Sequence, residues 1–180
     1  MSDFITFILP TYNEEKNIIL LIKEILILNE KYQIEIIVVD DNSNDKTQSL
    51  VREFSRNDRR IRLINRIGRY GLSSAICEGC LNSTGEIIAV MDSDGQHEVK
   101  SVYQSIFYLL KSDNDLVIGS RFAKGSSIDG LSKRRIKGST LANSFARYTL
   151  ARNYVHLSDF MSGCCAFKRN ACMTHIQKID

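Results

Sequence analysis

Several features are scarce in this sequence, and each shortage removes a class of protein. The chain has one proline, no tryptophan and ten glycines in 180 residues, so it carries no proline-rich or glycine-rich linker. No apolar run reaches the roughly 18 residues that a membrane-spanning helix needs. The first nine residues have no basic segment ahead of their short apolar stretch, so we expect a chain that is not secreted.

The five cysteines form no recognisable disulfide or metal framework. Cys77 and Cys80 lie inside a predicted helix, and no second Cys-x-x-Cys pair matches them. Packing of small buried side chains explains these residues best. A zinc site completed by Cys164, Cys165 and Cys172 is the alternative. We expect a cytoplasmic location in which the thiols stay reduced.

The net charge of +3 is too small to indicate nucleic acid, and no such partner is expected. The charges are unevenly distributed, because Asp159 is the only acid between Gly130 and Ile179. Basic residues crowd this last third, among them Lys133, Arg134, Arg135, Lys137, Arg147, Arg152, Lys168 and Arg169. This asymmetry predicts a basic face for an anionic partner, with an ordinary solvated helix face as the alternative.

Predicted strands and helices alternate along the chain. The strands are the apolar runs 4–9, 34–39, 61–64, 86–92 and 115–120. These runs are continuously apolar, which is typical of a mainly parallel sheet covered by helices on both faces. We therefore predict an α/β fold.

Helical spacing of apolar residues predicts the helices between the strands. In the first helix the apolar stripe is Ile18, Leu21, Ile22, Ile25 and Leu28, and in the fourth it is Val99, Val102, Ile106 and Leu110. Segments 46–56 and 71–83 are the second and third helices. Thr11 and Glu14 have the spacing of a capping box at the start of the first helix.

Three predicted strands run into polar clusters, which read PTYNE, DDNSND and DSDGQH. Ligands of open α/β sheets bind beyond the carboxyl ends of the strands, so the clusters predict one shared pocket. Asp92 and Asp94 lie two residues apart and project the same way from an extended backbone. With Gln96 and His97 they form an oxygen-rich site that suits Mg²⁺ or Mn²⁺. The alternative is a turn in which Asp92 caps a helix that begins near Glu98.

Other site types find less support. The cluster after the second strand resembles a calcium loop, but Asp45 and Val51 stand where an EF-hand needs Gly and Glu. An Asx-rich turn before a helix, with one carboxylate in the crevice, is the simpler interpretation. The chain has no Gly-x-Ser-x-Gly, P-loop or Gly-x-Gly-x-x-Gly motif, so hydrolase, NTPase and dinucleotide-binding functions are unsupported.

Six segments, in order and at the right separations, carry a family resemblance. They read ILPTYNEEKNI, IIVVDDNSNDKT, RIGRYGLSSAICEG, GEIIAVMDSDGQH, DLVIGSR and SDFMSGCCAF. Over residues 4–170 the chain resembles the inverting glycosyltransferases of family 2, and within them the polyprenol (dolichol) phosphate mannosyltransferases. The resemblance implies the GT-A (nucleotide-diphospho-sugar transferase) fold. It also implies a single catalytic domain over residues 1–180 that lacks the family's usual C-terminal segment.

The resemblance implies a role for each site residue. The nucleotide-sugar residues are Pro10, Tyr12, Glu14, Val39, Asp41, Asp92, Ser93, Asp94 and Arg121. Tyr12 is expected to pack against the base, and Asp41 to accept a hydrogen bond from base or ribose. The implied metal ligands are Asp92, Asp94 and Gln96, holding Mg²⁺ or Mn²⁺, and the implied catalytic residues are Asp94 and Arg121. Arg134 or Arg135 is expected to face the acceptor phosphate.

The implied reaction moves mannose from GDP-mannose to a polyprenyl phosphate with inversion. The expected location is the cytoplasmic face of a membrane, contacted peripherally through the basic segment 132–152. One alternative is a family member that uses UDP-glucose or another nucleotide sugar. The other is a shortened, non-catalytic module that only binds a nucleotide sugar.

Overall fold

The structure, a computed structural model, describes residues 3–27, 31–68, 70–95, 99–119 and 162–176. The strands in these ranges are β1 (Phe4–Thr11), β2 (Gln33–Asp40), β3 (Ile61–Asn65), β4 (Ile87–Met91), β5 (Leu116–Ile118) and β6 (Cys164–Lys168). The helices are α1 (Ile18–Ile27), α2 (Thr47–Asn57), α3 (Leu72–Leu81), α4 (Val99–Lys111) and α5 (Arg169–Ile176). The five predicted strands all form, and β6 follows at the end of the segment SDFMSGCCAF and extends one residue beyond it.

The strands form one sheet in the order β3-β2-β1-β4-β6-β5. Strand β1 pairs in parallel with both β2 and β4, and β2 pairs in parallel with β3. Strand β6 runs antiparallel to its neighbours β4 and β5. The predicted α/β fold with a mainly parallel sheet is therefore confirmed.

Helices cover both faces of the sheet. Phe7 and Leu9 point to the face covered by α1, α2 and α4, whereas Ile8 points to the face covered by α3 and α5. Because successive side chains of a strand point to opposite faces, a strand buried on both sides is mostly apolar. This burial explains the largely apolar run of β1, in which the buried Thr6 is hydrogen-bonded.

Two local predictions are wrong. Thr11 is the last residue of β1, and its hydroxyl donates to the Leu9 carbonyl at 2.9 Å instead of capping a helix. In α4 the core residue is Leu109, which is 1% exposed, whereas Leu110 is 36% exposed. Leu109 continues the buried face of Ser105 and Ile106, whereas Leu110, one residue further round the helix, lies at the border of that face. Leu28, at the end of the predicted first stripe, lies outside the described residues.

The edge of the sheet at the strands' amino ends is held by the buried carboxylate of Glu35. Its Oε1 accepts hydrogen bonds from the Thr6 hydroxyl at 2.5 Å and from the Thr84 N–H at 2.6 Å. Its Oε2 accepts one from Arg62 at 2.9 Å. Gly85 is required here, because a Cβ would lie 2.7 Å from the Thr6 nitrogen. These contacts join β1, β2, β3 and the segment before β4.

The cysteines pack as small buried side chains. Cys80, on the buried face of α3, lies in a core cluster, and Cys77, Cys165 and Cys172 pack against that cluster. Burial raises the pKa of Cys164 to about 11, which keeps this thiol protonated. In the part of the chain that the structure describes, no three His, Cys, Asp or Glu residues are grouped to hold a metal, so the zinc alternative is wrong.

Among the helices within the described ranges, none is long and apolar enough to cross a lipid bilayer.

Candidate functional site

The three polar clusters meet at one edge of the sheet, as predicted. Strand β1 lies between β2 and β4, and all three run in the same direction, so their carboxyl ends are neighbours. The Asp41 N–H donates to the Thr11 carbonyl at 2.9 Å, which joins the ends of β1 and β2. The Ser93 hydroxyl donates to the Pro10 carbonyl at 2.7 Å, which joins the ends of β1 and β4.

The loops after β1 and β2 are tied together by reciprocal hydrogen bonds. These bonds run from Asn13 N to Ser43 Oγ, Asn44 N to Asn13 Oδ1, Glu14 N to Thr47 Oγ1, Glu15 N to Asp45 Oδ2 and Lys46 N to Glu15 Oε2. Their lengths lie between 2.8 and 3.1 Å. Asn13 and Asn42 adopt left-handed backbone conformations with φ of 56° and 60°, which asparagine tolerates better than most residues. The two loops therefore form one unit.

The neighbouring carboxylates of Asp40 and Asp41 differ in burial and in hydrogen-bond partners. Asp40 is fully buried and accepts hydrogen bonds from the Ser43 N–H at 2.9 Å and the Gln48 amide at 2.8 Å. It closes the turn before α2, so the predicted Asx-rich turn is confirmed. The side chain of Asp41 is 15% exposed and lies at the surface, at the edge formed by the carboxyl ends of the strands. Of this pair, only the Asp41 side chain is partly exposed at the surface.

Arg66 holds the Asp41 carboxylate, and the sequence analysis missed it. Its guanidinium pairs with Asp41 Oδ1, and the Gly71 N–H donates to Asp41 Oδ2 at 2.8 Å. The Arg66 side chain is only 1% exposed. The available signal was a basic residue directly after an apolar strand, but its partners come from distant segments.

The other predicted nucleotide-sugar residues in β1, in β2 and in the loop after β1 vary in exposure. Tyr12 is 55% exposed, as a side chain that packs against a ligand can be. Pro10 and Val39 are buried partners across the β1–β2 ladder, so they lie beneath the edge. Glu14 Oε2 accepts a hydrogen bond from the Asn17 amide at 2.7 Å, and that amide also lies 3.4 Å from the Asp94 carbonyl. Asn17 thus links the loops after β1 and β4.

The loop after β4 is packed against the start of β6. The Asp92 N–H donates to the Gly163 carbonyl at 3.0 Å. The Asp92 carboxylate lies over Gly163, where any larger residue would displace it. Ser93 is buried and Asp94 is half-buried. Gly163 therefore sets the position of the first acid of the pair.

The donor set after β4 fits a hard divalent cation. The carboxylates of Asp92 and Asp94 supply oxygen ligands, and Gln96, the third predicted ligand, lies outside the described residues. Within the described ranges no cage of three or more acidic, His or Cys side chains is present. Mg²⁺ and Mn²⁺ are commonly held by one or two carboxylates together with substrate phosphates, so two carboxylates match such a site.

Several predicted residues fall on parts of the chain that the structure does not describe. They are Gln96, Arg121, Arg134, Arg135 and the basic segment 132–152. Their implied roles stay predictions.

Comparison with known proteins gives a family match over most of the chain. Residues 6–175 match the model of Glycosyl transferase family 2. The chain is 30% identical over 177 residues to polyprenol monophosphomannose synthase of Mycolicibacterium smegmatis, covering 96% of this chain and 63% of that protein. It is 35% identical over 125 residues to dolichol-phosphate mannosyltransferase of Pyrococcus furiosus, covering 69% and 35%. The chain therefore spans between about a third and two thirds of these relatives' lengths.

The fold is shared with a solved structure. Glucosyl-3-phosphoglycerate synthase from Mycobacterium tuberculosis, in complex with Mn²⁺, UDP and phosphoglyceric acid, superposes with a TM-score of 0.71. The match covers 93% of this chain and 56% of that chain, at 22% sequence identity. At this identity the likeness establishes the fold alone.

Proposed function

Because the chain belongs to glycosyl transferase family 2, we propose that it transfers a sugar from a nucleoside diphosphate donor to a phosphate-bearing acceptor. The observation that supports this most directly is the convergence of three polar strand ends at one sheet edge. At that edge Asp41 follows β2 on one side of β1, the acidic pair Asp92 and Asp94 follows β4 on the other side, and Tyr12 follows β1 itself. A nucleoside at one end and a diphosphate at the other would match this arrangement.

The specific reaction we propose is transfer of mannose from GDP-mannose to a polyprenyl phosphate with inversion. Relatives named dolichol-phosphate mannosyltransferase and polyprenol monophosphomannose synthase support it. An oxygen of the acceptor phosphate forms the new bond to the anomeric carbon, while the bond from that carbon to the diphosphate oxygen breaks. The attacking oxygen is already anionic, so the reaction needs no strong general base.

A bound Mg²⁺ or Mn²⁺, held by Asp92, Asp94 and Gln96, would stabilise the negative charge of the departing diphosphate as a Lewis acid. Tyr12 and Asp41 would hold the nucleoside, with Pro10, Val39 and Glu14 shaping the floor beneath it, and Ser93 would belong to the diphosphate segment between Asp92 and Asp94. Arg121 and Arg134 or Arg135 would supply the positive charge that brings two anionic substrates together.

A family member specific for UDP-glucose is the second candidate. Relatives named dolichyl-phosphate beta-glucosyltransferase from Trichomonas vaginalis are 31–32% identical to this chain and favour it. The Asp41 carboxylate can accept a hydrogen bond from guanine or uracil, since both bases carry ring N–H groups. This residue therefore does not select between the two donors.

We also propose that the protein meets its acceptor at the cytoplasmic face of a membrane. A polyprenyl phosphate carries its reactive phosphate at the bilayer surface, so the site must approach that surface. The basic segment 132–152 would contact anionic lipid head groups.

Binding and turnover can be measured separately. Isothermal titration with GDP-mannose and with UDP-glucose, each with and without Mn²⁺, identifies the donor. Addition of a short-chain polyprenyl phosphate, followed by mass spectrometry and NMR of the product, tests transfer and inversion. We expect Mn²⁺-dependent binding of one donor and a β-linked product. Binding without turnover would support the non-catalytic module instead.

A further inference from the structure

Arg66 is a buried charged residue that pairs with Asp41 of the candidate site and with residues at the start of and within α3. A guanidinium removed from water is stable only when its N–H groups are paired. Besides Asp41, its partners are the Glu78 carboxylate at 3.1 Å, the Ser74 hydroxyl at 2.6 Å and the Gly71 carbonyl at 3.3 Å. These contacts join the loop after β2 to the loop and helix after β3.

Asp41 is fixed by this arrangement on both of its oxygens. Arg66 pairs with Oδ1, the Gly71 N–H binds Oδ2, and Arg66 also binds the Gly71 carbonyl. Gly71 reaches this position with a φ of 115°, in the region that favours glycine. Each carboxylate oxygen can accept a second hydrogen bond, so Asp41 keeps acceptor capacity for a ligand.

We propose that Arg66 is a positioning residue, which acts through Asp41 to give the site its affinity for the nucleoside part of the donor. The inference rests on the proposed function, because it assigns the nucleoside to Asp41. Arg66 lies on the β3 side of the edge, whereas the diphosphate is assigned to Asp92 and Asp94 after β4. Loss of Arg66 should therefore weaken recognition of the nucleoside and leave the diphosphate end intact.

The experiment is a double-mutant cycle on ligand affinity, measured with GDP, UDP and inorganic pyrophosphate in the presence of Mn²⁺. We expect Arg66→Met to weaken binding of the preferred nucleoside diphosphate by about ten- to a hundred-fold. Pyrophosphate affinity should not change. In an Asp41→Asn background, the same Arg66→Met substitution should change nucleotide affinity by less than about three-fold.

Arg62→Met is the matched control. Arg62 forms an ion pair with Glu35 at 2.9 Å at the opposite edge of the sheet. Its removal should lower the melting temperature and leave nucleotide affinity unchanged. If Arg66→Met does not fold, Arg66→Lys, which keeps the charge but loses the planar fork, is carried through the same cycle.

Three results would overturn the inference. An equal loss of affinity in the wild-type and Asp41→Asn backgrounds would mean that Arg66 acts independently of Asp41. A parallel loss of pyrophosphate affinity would mean a general structural role. Absence of nucleotide binding by the wild-type protein would overturn both this inference and the proposed function. Nucleotide binding without sugar transfer would remove only the proposed transfer, and the cycle would still decide the role of Arg66.

Discussion

The carboxylate of Asp92 occupies the space that a side chain on Gly163 would fill, since a Cβ there would lie 1.7 Å from Asp92 Oδ2. The two residues are far apart in sequence and meet because β6 inserts beside β4. Residue 163 must therefore be a glycine if the Asp92 side chain is to keep its position.

Gly163→Ala should displace Asp92 and weaken Mn²⁺-dependent nucleotide binding. We expect the free energy of unfolding to fall by about 1–3 kcal/mol, the usual range for overpacking. Gly68→Ala is the control for metal-dependent binding, because a Cβ at Gly68 meets nothing within 4 Å. Its φ of +69° means that any loss of stability in this control comes from backbone strain and not from overpacking. Urea unfolding and calorimetric titration would compare the variants. If nucleotide binding by Gly163→Ala depended on Mn²⁺ as it does in the wild-type protein, the proposed part of Asp92 in the cation site would be contradicted.

Asp94→Ala should abolish the metal-dependent part of nucleotide binding, because it removes one of two carboxylates from the proposed cation site. The measurement is titration of GDP-mannose at several Mn²⁺ concentrations. Asp115→Ala is the control, since the Asp115 side chain is 68% exposed and pairs with Lys168. Unchanged metal dependence in Asp94→Ala would remove the metal assignment.

Tyr12→Ala should weaken nucleotide binding by roughly 5- to 150-fold, since stacking of a base on an aromatic ring contributes about 1–3 kcal/mol. Stability should change by less than about 0.5 kcal/mol, because the ring is largely exposed. Tyr108→Ala, which removes a 63% exposed ring from α4, should leave both properties unchanged. A wild-type dissociation constant for Tyr12→Ala would argue against stacking.

Glu35→Gln should destabilise the protein in a pH-dependent way. Burial acts to raise the pKa of Glu35, but hydrogen bonds from Thr6 and Thr84 and the charge of Arg62 outweigh it, so the pKa is held below its usual value. A lowered folded-state pKa stabilises the protein above the unfolded pKa, and the contribution is lost as pH falls through the folded value. At pH 7 we expect Glu35→Gln to lose about 1–3 kcal/mol.

The test is urea unfolding of wild-type and Glu35→Gln protein between pH 7 and pH 3. The difference in unfolding free energy should narrow below pH 4.5, the ordinary value for glutamate. A difference that stayed constant over this range would show that ionisation of Glu35 does not contribute to stability.

Much of the fold could be predicted because strands buried on both faces of the sheet appear in the sequence as runs of apolar residues. The apolar runs located β1, β2 and β4, and their polar ends located the candidate site. The antiparallel direction of β6 could not be predicted, because a buried strand has the same composition in either direction. The difference between Leu109 and Leu110 depends on a rotation of α4 that only packing decides.

The individual roles at the site were harder to predict. Asp40 and Asp41 are adjacent and chemically identical, and only their partners distinguish the buried one from the one at the surface. Arg66 was missed because its burial depends on Asp41 and Glu78, which approach it from separate segments. Sequence spacing identifies which strand end carries an acid, but contacts across the fold decide how that acid is used.

The chain's single proline lies where the ladder between β1 and β4 stops. Pairing with β2 continues to Thr11, but pairing with β4 ends at Ile8 and Val90. The N and C=O of a residue in a parallel strand face the same neighbour, and the Pro10 carbonyl receives Ser93 from the β4 side. The N–H that Pro10 lacks would have faced β4, so the two strands can separate there without leaving a buried donor unpaired. The end of the β1–β4 ladder at the candidate site thus coincides with the one residue of β1 that has no backbone N–H to pair.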